Sequence, residues 1–219
     1  MMFWKKKKFQ YLLDRQPSLN TRLRDMSFTI FDTETTGFSV GAHDRMIELA
    51  AVHVQGTTVT DMTFHTYVNP ERDIPHDIST LTGITEDKVK EAPPALDAIE
   101  QFFQFTESCE SDGWVGHYLS FDLLVLKKEL QRQKYTYEQP LSIDTLDMIG
   151  YFNPSWDMRD LSSYARTFGT NMFDRHSALG DSLTTAYLFV ELLRLLEERG
   201  KTTLADLIQI TDNPSRAFL

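Results

Sequence analysis

The 219-residue chain predicts an α/β fold, a mixed five-stranded sheet flanked by helices, and three observations carry that expectation. Three β-rich runs between Phe28 and Val68 follow one another with short breaks, the pattern of an antiparallel meander. Beyond Pro93, short apolar runs alternate with helical periodicities, the pattern of strands joined by helical crossovers. No internal repeat or low-complexity linker divides the chain.

The first run, Phe28 to Phe38, alternates apolar and polar residues and is broken by Gly37. Met46–Val54 and Thr58–Val68 read as the second and third strands, joined by the hairpin signal Gln55-Gly56-Thr57. Asn69-Pro70 ends the third, and Ile74–Ala92 reads as short helices interrupted at Gly83. Pro93-Pro94 opens an amphipathic helix through Ala98, Phe102 and Phe105. Gly113–His117 is a short buried strand, followed by a helix from Ser120. Leu141–Thr145 supplies the fifth strand. Arg159–Phe168 reads as a helix closed by Gly169. The last helix, Ser177–Arg199, closes at Gly200 and keeps Leu179, Leu183, Ala186, Val190, Leu193 and Leu196 on one face.

A single cysteine, Cys109, excludes an internal disulfide framework and a cysteine zinc site, which makes a reducing, cytoplasmic setting the expectation. No stretch has the length and apolarity of a membrane span, and no apolar core follows the early lysines as in a signal peptide. The net charge of −10 is unevenly spread. Residues 1–26 hold seven basic and two acidic side chains, so the remainder carries −15, too acidic for tight binding of long nucleic acid by charge alone. Phe9, Leu12, Leu13, Leu19, Leu23 and Met26 have helical spacing interrupted at Pro17, which makes residues 1–26 a basic amphipathic N-terminal extension. The run Lys5–Lys8 admits three readings: a solvated helix face, a tether for nucleic acid or a partner, or a membrane-surface contact through Phe3 and Trp4.

Candidate chemistry begins at Asp32 and Glu34, two carboxylates at period-two spacing on one strand face. Adjacent like charges raise one another's pKa unless a cation intervenes, and oxygen donors suit Mg²⁺ or Mn²⁺; the alternative is an acid pair facing water. Asp122 opens the helix after the fourth strand, and Asp181 lies one turn into the last helix behind His176 and the N-cap candidate Ser177. Helix-dipole placement and ordinary capping are the competing explanations for Asp122 and for the His176–Asp181 pair.

Taken in order, Phe31-Asp32-Thr33-Glu34-Thr35-Thr36-Gly37, His117-Tyr118-Leu119-Ser120-Phe121-Asp122, and His176 with Asp181 resemble the three motifs of the DnaQ-like, or DEDDh, 3′-to-5′ exonucleases. That group includes the proofreading subunit of bacterial DNA polymerase III. Met46–Val52, Thr82-Gly83-Ile84-Thr85 and Asp144-Thr145-Leu146 support the resemblance, which spans about residues 27–195. It implies a ribonuclease H-like fold over residues 27–200, with 201–219 a short C-terminal tail. It also implies two Mg²⁺ or Mn²⁺ ions on Asp32, Glu34, Asp122 and Asp181, with His176 as base. Thr35, Thr36, Gly37 and Phe38 would meet the terminal nucleotide. Ser177 stands where the family's sister branch has tyrosine, which places the chain with the histidine branch. Tyr118-Leu119 departs from the asparagine-bearing version of the second motif.

The chemistry agrees with the resemblance. Two cations about 4 Å apart can serve both ends of an in-line phosphoryl displacement, and an ordinary histidine, titrating near ~6.5, can accept a water proton at neutral pH. The expected activity is metal-dependent release of nucleoside 5′-monophosphates from DNA 3′ ends, single-stranded ones first. The alternatives are a short-RNA exoribonuclease and a proofreading subunit acting mainly by binding a DNA polymerase.

Overall fold

The computed structural model describes residues 7–9, 11–13, 15–156 and 160–211. At its centre β2 (Ser27–Thr35) runs antiparallel to β3 (Met46–Gln55), which runs antiparallel to β4 (Thr58–Tyr67). On its other side β2 pairs in parallel with β5 (Gly113–Gly116), and β5 with β7 (Ser142–Asp144). The order β4-β3-β2-β5-β7 is the expected five-stranded mixed sheet. β2 therefore lies where antiparallel pairing gives way to parallel pairing, and its C-terminal end opens at that seam.

Alternation along β2 divides the core. Phe28 and Ile30 pack with α7 (Ala178–Glu198), where Phe28 meets Phe189 edge-on at 5.0 Å. Phe31 faces the opposite layer of α3 (Ala95–Ser108) and α4 (Leu119–Arg132), against Phe102 and Trp114. By parity Asp32 and Glu34 share the α7 face and Thr33 the α4 face. This placement brings acids from three elements toward one sheet edge. No helix among the described residues is long and apolar enough to cross a membrane.

Between β4 and α3, α1 (His76–Thr82) ends on Gly83 in the left-handed conformation, and α2 (Glu86–Val89) follows. Two helices absent from the expectation also form. In α5 (Thr145–Phe152), Asp144 accepts a bond from Leu146 N, a cap at the strand's last residue that turns the chain at once into helix. In α8 (Leu204–Thr211), Leu204, Leu207 and Ile210 join the α7-side core, so the expected tail contains a packed helix. α6 (Leu161–Phe168) starts after an Asp160 cap; the expected first residue, Arg159, lies outside the described residues.

The helical reading of the N-terminal extension is corrected by the structure. Lys7–Lys8 form β1, which pairs in parallel with β6 (Tyr135–Thr136), and the only helix among described residues 7–26 is a 3₁₀ turn at Leu23–Asp25. Pairing across the fold prevails over local periodicity because Phe9 stacks on Tyr135 at 4.7 Å and meets Phe103 edge-on, while Leu13 is buried. Phe3, Trp4, Lys5 and Lys6 lie outside the described residues. Cys109 is buried, and burial pushes its thiol up to about 11, consistent with an inert side chain.

Candidate active site

Asp32 and Glu34 stand near the C-terminal end of β2, just before a bulge between Glu34 and Thr35 that shifts the register, so that Thr35 pairs with Met46. Between them Thr33 reaches the other way. Its backbone N and Oγ1 both donate to Asp122 Oδ1, at 3.0 and 2.6 Å, so the buried first-turn acid of α4 is fastened directly to the strand. One oxygen of Asp122 is thereby fixed, and the carboxylate is oriented relative to Asp32.

Asp181 lies in the first turn of α7. Its Oδ2 accepts from His176 N at 3.3 Å, and His176 itself holds a left-handed φ of 60°. Gly180 makes this turn possible: a Cβ there would fall 1.9 Å from the Asp174 carbonyl oxygen. Ser177 occupies the N-cap position but its hydroxyl makes no capping bond. Instead, Glu48 on β3 accepts from Ala178 N at 2.8 Å, and its other oxygen meets His65 Nε2 at 2.6 Å. Glu48 is almost wholly buried and pairs across the ladder with Glu34. Its sequence signal was a lone acid within the apolar run Met46–Val54, where nothing local called for charge.

Glu34, His176 and Asp181 each bring a donor atom within 4.8 Å of the others. Asp32 and Asp122 belong to the same electrostatic group. Burial, then the neighbouring Asp122, Asp181 and Glu34 carboxylates, push Asp32 well above the usual carboxylate range. Burial and the charges of Asp181 and Glu48 lift Glu34 to about 8. Burial raises Asp122 to about 7 against the two Thr33 bonds. Asp181 is raised by burial and held back by Arg175. The Arg175 guanidinium forms an ion pair with Asp181 and lies 3.9 Å from Asp160. Yet Asp181 Oδ1 is buried without a well-formed hydrogen bond. Four crowded carboxylates with one arginine beside them, all hard oxygen donors, fit a divalent cation.

The lip beyond Glu34 is braced from within. Thr35 Oγ1 donates to Gly37 O, and Thr36 Oγ1 to Asp44 Oδ1, so both hydroxyls are engaged inside the loop. Gly37, at φ 151°, leaves no room for a Cβ, which would fall 2.5 Å from Asp44 Oδ2. Phe38 is 87% exposed, with its ring 5.8 Å from Phe121, and contributes nothing to the core. His117 is placed differently: its Nδ1 is 2.8 Å from Thr145 Oγ1 and its ring packs edge-on to Tyr164. Asp144 accepts from Tyr118 N and Leu119 N and so fixes the turn into α4. Burial first raises its carboxyl to about 6.

A mixed five-stranded sheet on which acids converge from the central strand and two helices is built around a carboxylate cluster suited to holding divalent metal. The exonuclease family model of RNase T type matches residues 29–189. The DNA polymerase III PolC-type of Bacillus subtilis (strain 168) is 35% identical over 182 residues, 81% of this chain and 12% of the relative. The chain thus spans about an eighth of the length of that curated relative. Among solved structures, Exonuclease X in complex with 5′ overhanging duplex DNA superposes with a TM-score of 0.64 at 23% identity, over 84% of this chain and 99% of the other. The nuclease domain of 3′hExo, a DEDDh family member bound to rAMP, gives 0.68 at 22% identity, over 78% and 92%. The chain belongs to the exonuclease family, as a DnaQ-like 3′-to-5′ exonuclease. That family depends on divalent metal.

Proposed function

We propose that this chain removes nucleotides one at a time from DNA 3′ ends as nucleoside 5′-monophosphates. The observation that carries the reading is the convergence of Asp32, Glu34, Asp122 and Asp181 with His176 at the open end of β2. The four acids would hold two Mg²⁺ or Mn²⁺ ions, which when bound supply Lewis-acid stabilisation of charge on the phosphodiester. His176 takes the proton of the attacking water. The water oxygen bonds to phosphorus, the bond to the penultimate nucleotide's O3′ breaks, and that oxygen takes a proton from solvent to become the new 3′-hydroxyl. The Thr35–Gly37 backbone and the Phe38 ring seat the terminal nucleotide, and an exposed aromatic ring can stack on any base.

DNA is favoured as substrate by the likeness to a DNA polymerase, which also supports the second reading, a proofreading role beside a DNA polymerase. A cytoplasmic setting goes with either. Digestion of matched 5′-labelled DNA and RNA, as single strands, mismatched ends and duplexes, tests the proposal with and without Mg²⁺ or Mn²⁺. Stepwise shortening of single-stranded DNA with mononucleotide products is expected. Faster cutting of short RNA moves the reading to an exoribonuclease, and a complete lack of metal-dependent cleavage overturns it.

A further inference from the structure

The lip of the site and the N-terminal lysines are joined by one helix face. Phe121, Leu124, Lys127, Lys128 and Gln131 are partly or fully exposed at positions that fall on one side of α4. The lip loop runs beside that helix. Phe121 meets Phe38 at one end, and Arg132 Nη2 donates to the Val40 carbonyl at 2.7 Å at the other. Between them, Lys128 Cε lies 3.8 Å from the place a Gly41 Cβ would take. Across the C-terminal end of the helix, Lys127, Gln131, Tyr135 and Gln139 line a groove. Pairing of β1 on β6 then sets Lys7 over the Tyr135 ring, 5.7 Å from its centroid, and Lys8 beside Glu138. No ion pair among the described residues engages Lys127 or Lys128.

We propose that this stripe of Lys128, Lys127, Tyr135 and Lys7 is the track for the single strand that leads away from the bound 3′ end. It rests on the exonuclease reading of the site and extends it to the nucleotides that are not being cut. Charge complementarity argues for a polyanion: residues 27–219 carry −15, and here Lys128 and Lys127 stand beside the lip with Lys7 next to the groove, while Lys8 is offset by Glu138. From Asp122 to Gln131 the helix rises about 14 Å, roughly four nucleotides at 3.4 Å each along a strand. The track also assigns a purpose to the β1–β6 pairing, which fixes the lysines next to the groove rather than leaving them at large.

The test compares the parent chain with the triple variant Lys7→Gln, Lys127→Gln, Lys128→Gln on a thymidine dinucleotide and a twelve-residue oligothymidylate, across a salt series. Binding of a fluorescent oligothymidylate is followed in parallel by anisotropy. Expected is an unchanged kcat/KM on the dinucleotide and a KM on the longer strand raised about tenfold at low salt. The slope of log affinity against log salt should fall by about 2, from about 0.7 per lysine. The corresponding triple arginine variant should keep the parental slope. Equal losses on both substrates, or an unchanged salt slope in binding, overturn the track. Should the parent cut neither substrate, the exonuclease reading fails, whereas the anisotropy slope still decides the track.

Discussion

Two buried acid clusters lie on either side of β2, and they are built on opposite principles. On the α4 side Glu129 accepts from Arg45 Nε with both oxygens, at 3.0 and 3.1 Å, takes a third bond from Met46 N, and pairs with Arg132 at 3.0 Å. The charge and hydrogen-bond capacity of Glu129 are met within the protein, although the buried Arg132 Nη1 has an ion-pair contact and no well-formed hydrogen bond, and the cluster ties α4 to the start of β3. On the α7 side Asp32, Glu34 and Asp181 crowd together, with Asp122 reaching in from the first turn of α4 and Arg175 the cation beside them, and their carboxyls are driven upward. A satisfied buried acid holds a fold together; an unsatisfied set keeps a place for a ligand at a cost in stability.

The contrast can be broken most sharply at Asp32. Asp32→Ala should lower exonuclease turnover by ~10³-fold or more, the scale of losing a principal stabiliser of transition-state charge, while melting in chelator occurs no lower than for the parent. Full activity on a 5′-labelled oligonucleotide would sink the assignment. Next, His176→Ala should slow hydrolysis by ~10²-fold with metal affinity, read by calorimetry, largely kept. A matching loss of affinity would make His176 a ligand, a role its closeness to Glu34 and Asp181 allows.

In the other cluster, Glu129→Ala should cost roughly 3 kcal/mol by leaving the half-buried Arg45 and Arg132 without the buried acid between them, a Tm fall of about 6–12 °C. Its metal affinity should match the parent's; a variant as stable as the parent would erase the distinction between the clusters. The smallest effect is on pH. Carboxyls raised in the folded chain bind more protons there than when unfolded, so stability in chelator should fall as pH rises from about 4 towards 8, the value for Glu34. Divalent cation should remove that slope. A chelated protein that gains stability across the same range would contradict the sign.

How far the sequence displays this design depends on how local each signal is. The acids of β2 and the His176–Asp181 turn were legible because strand alternation and helix periodicity place them by counting, and their order along the chain links them. The sheet was legible for the same reason. The clamp of Thr33 on Asp122 was not, since a threonine between two acids reads as a strand residue until the helix across from it is known. Glu48 and Arg175 act on partners far away in sequence or outside any motif. The β1–β6 ribbon is two residues long on each side, below what alternation can reveal, and the apolar spacing around it imitates a helix.

Gly180 shows how narrowly the helix start is specified. Its α-hydrogen faces the Asp174 carbonyl where any side chain would collide, so even a methyl group must drive the 174–176 segment off the helix. His176 and Asp181 would then separate although neither had changed. For a chain of this kind the position most intolerant of replacement on this helix need carry no functional group at all, and a screen for lost activity should return it beside the acids.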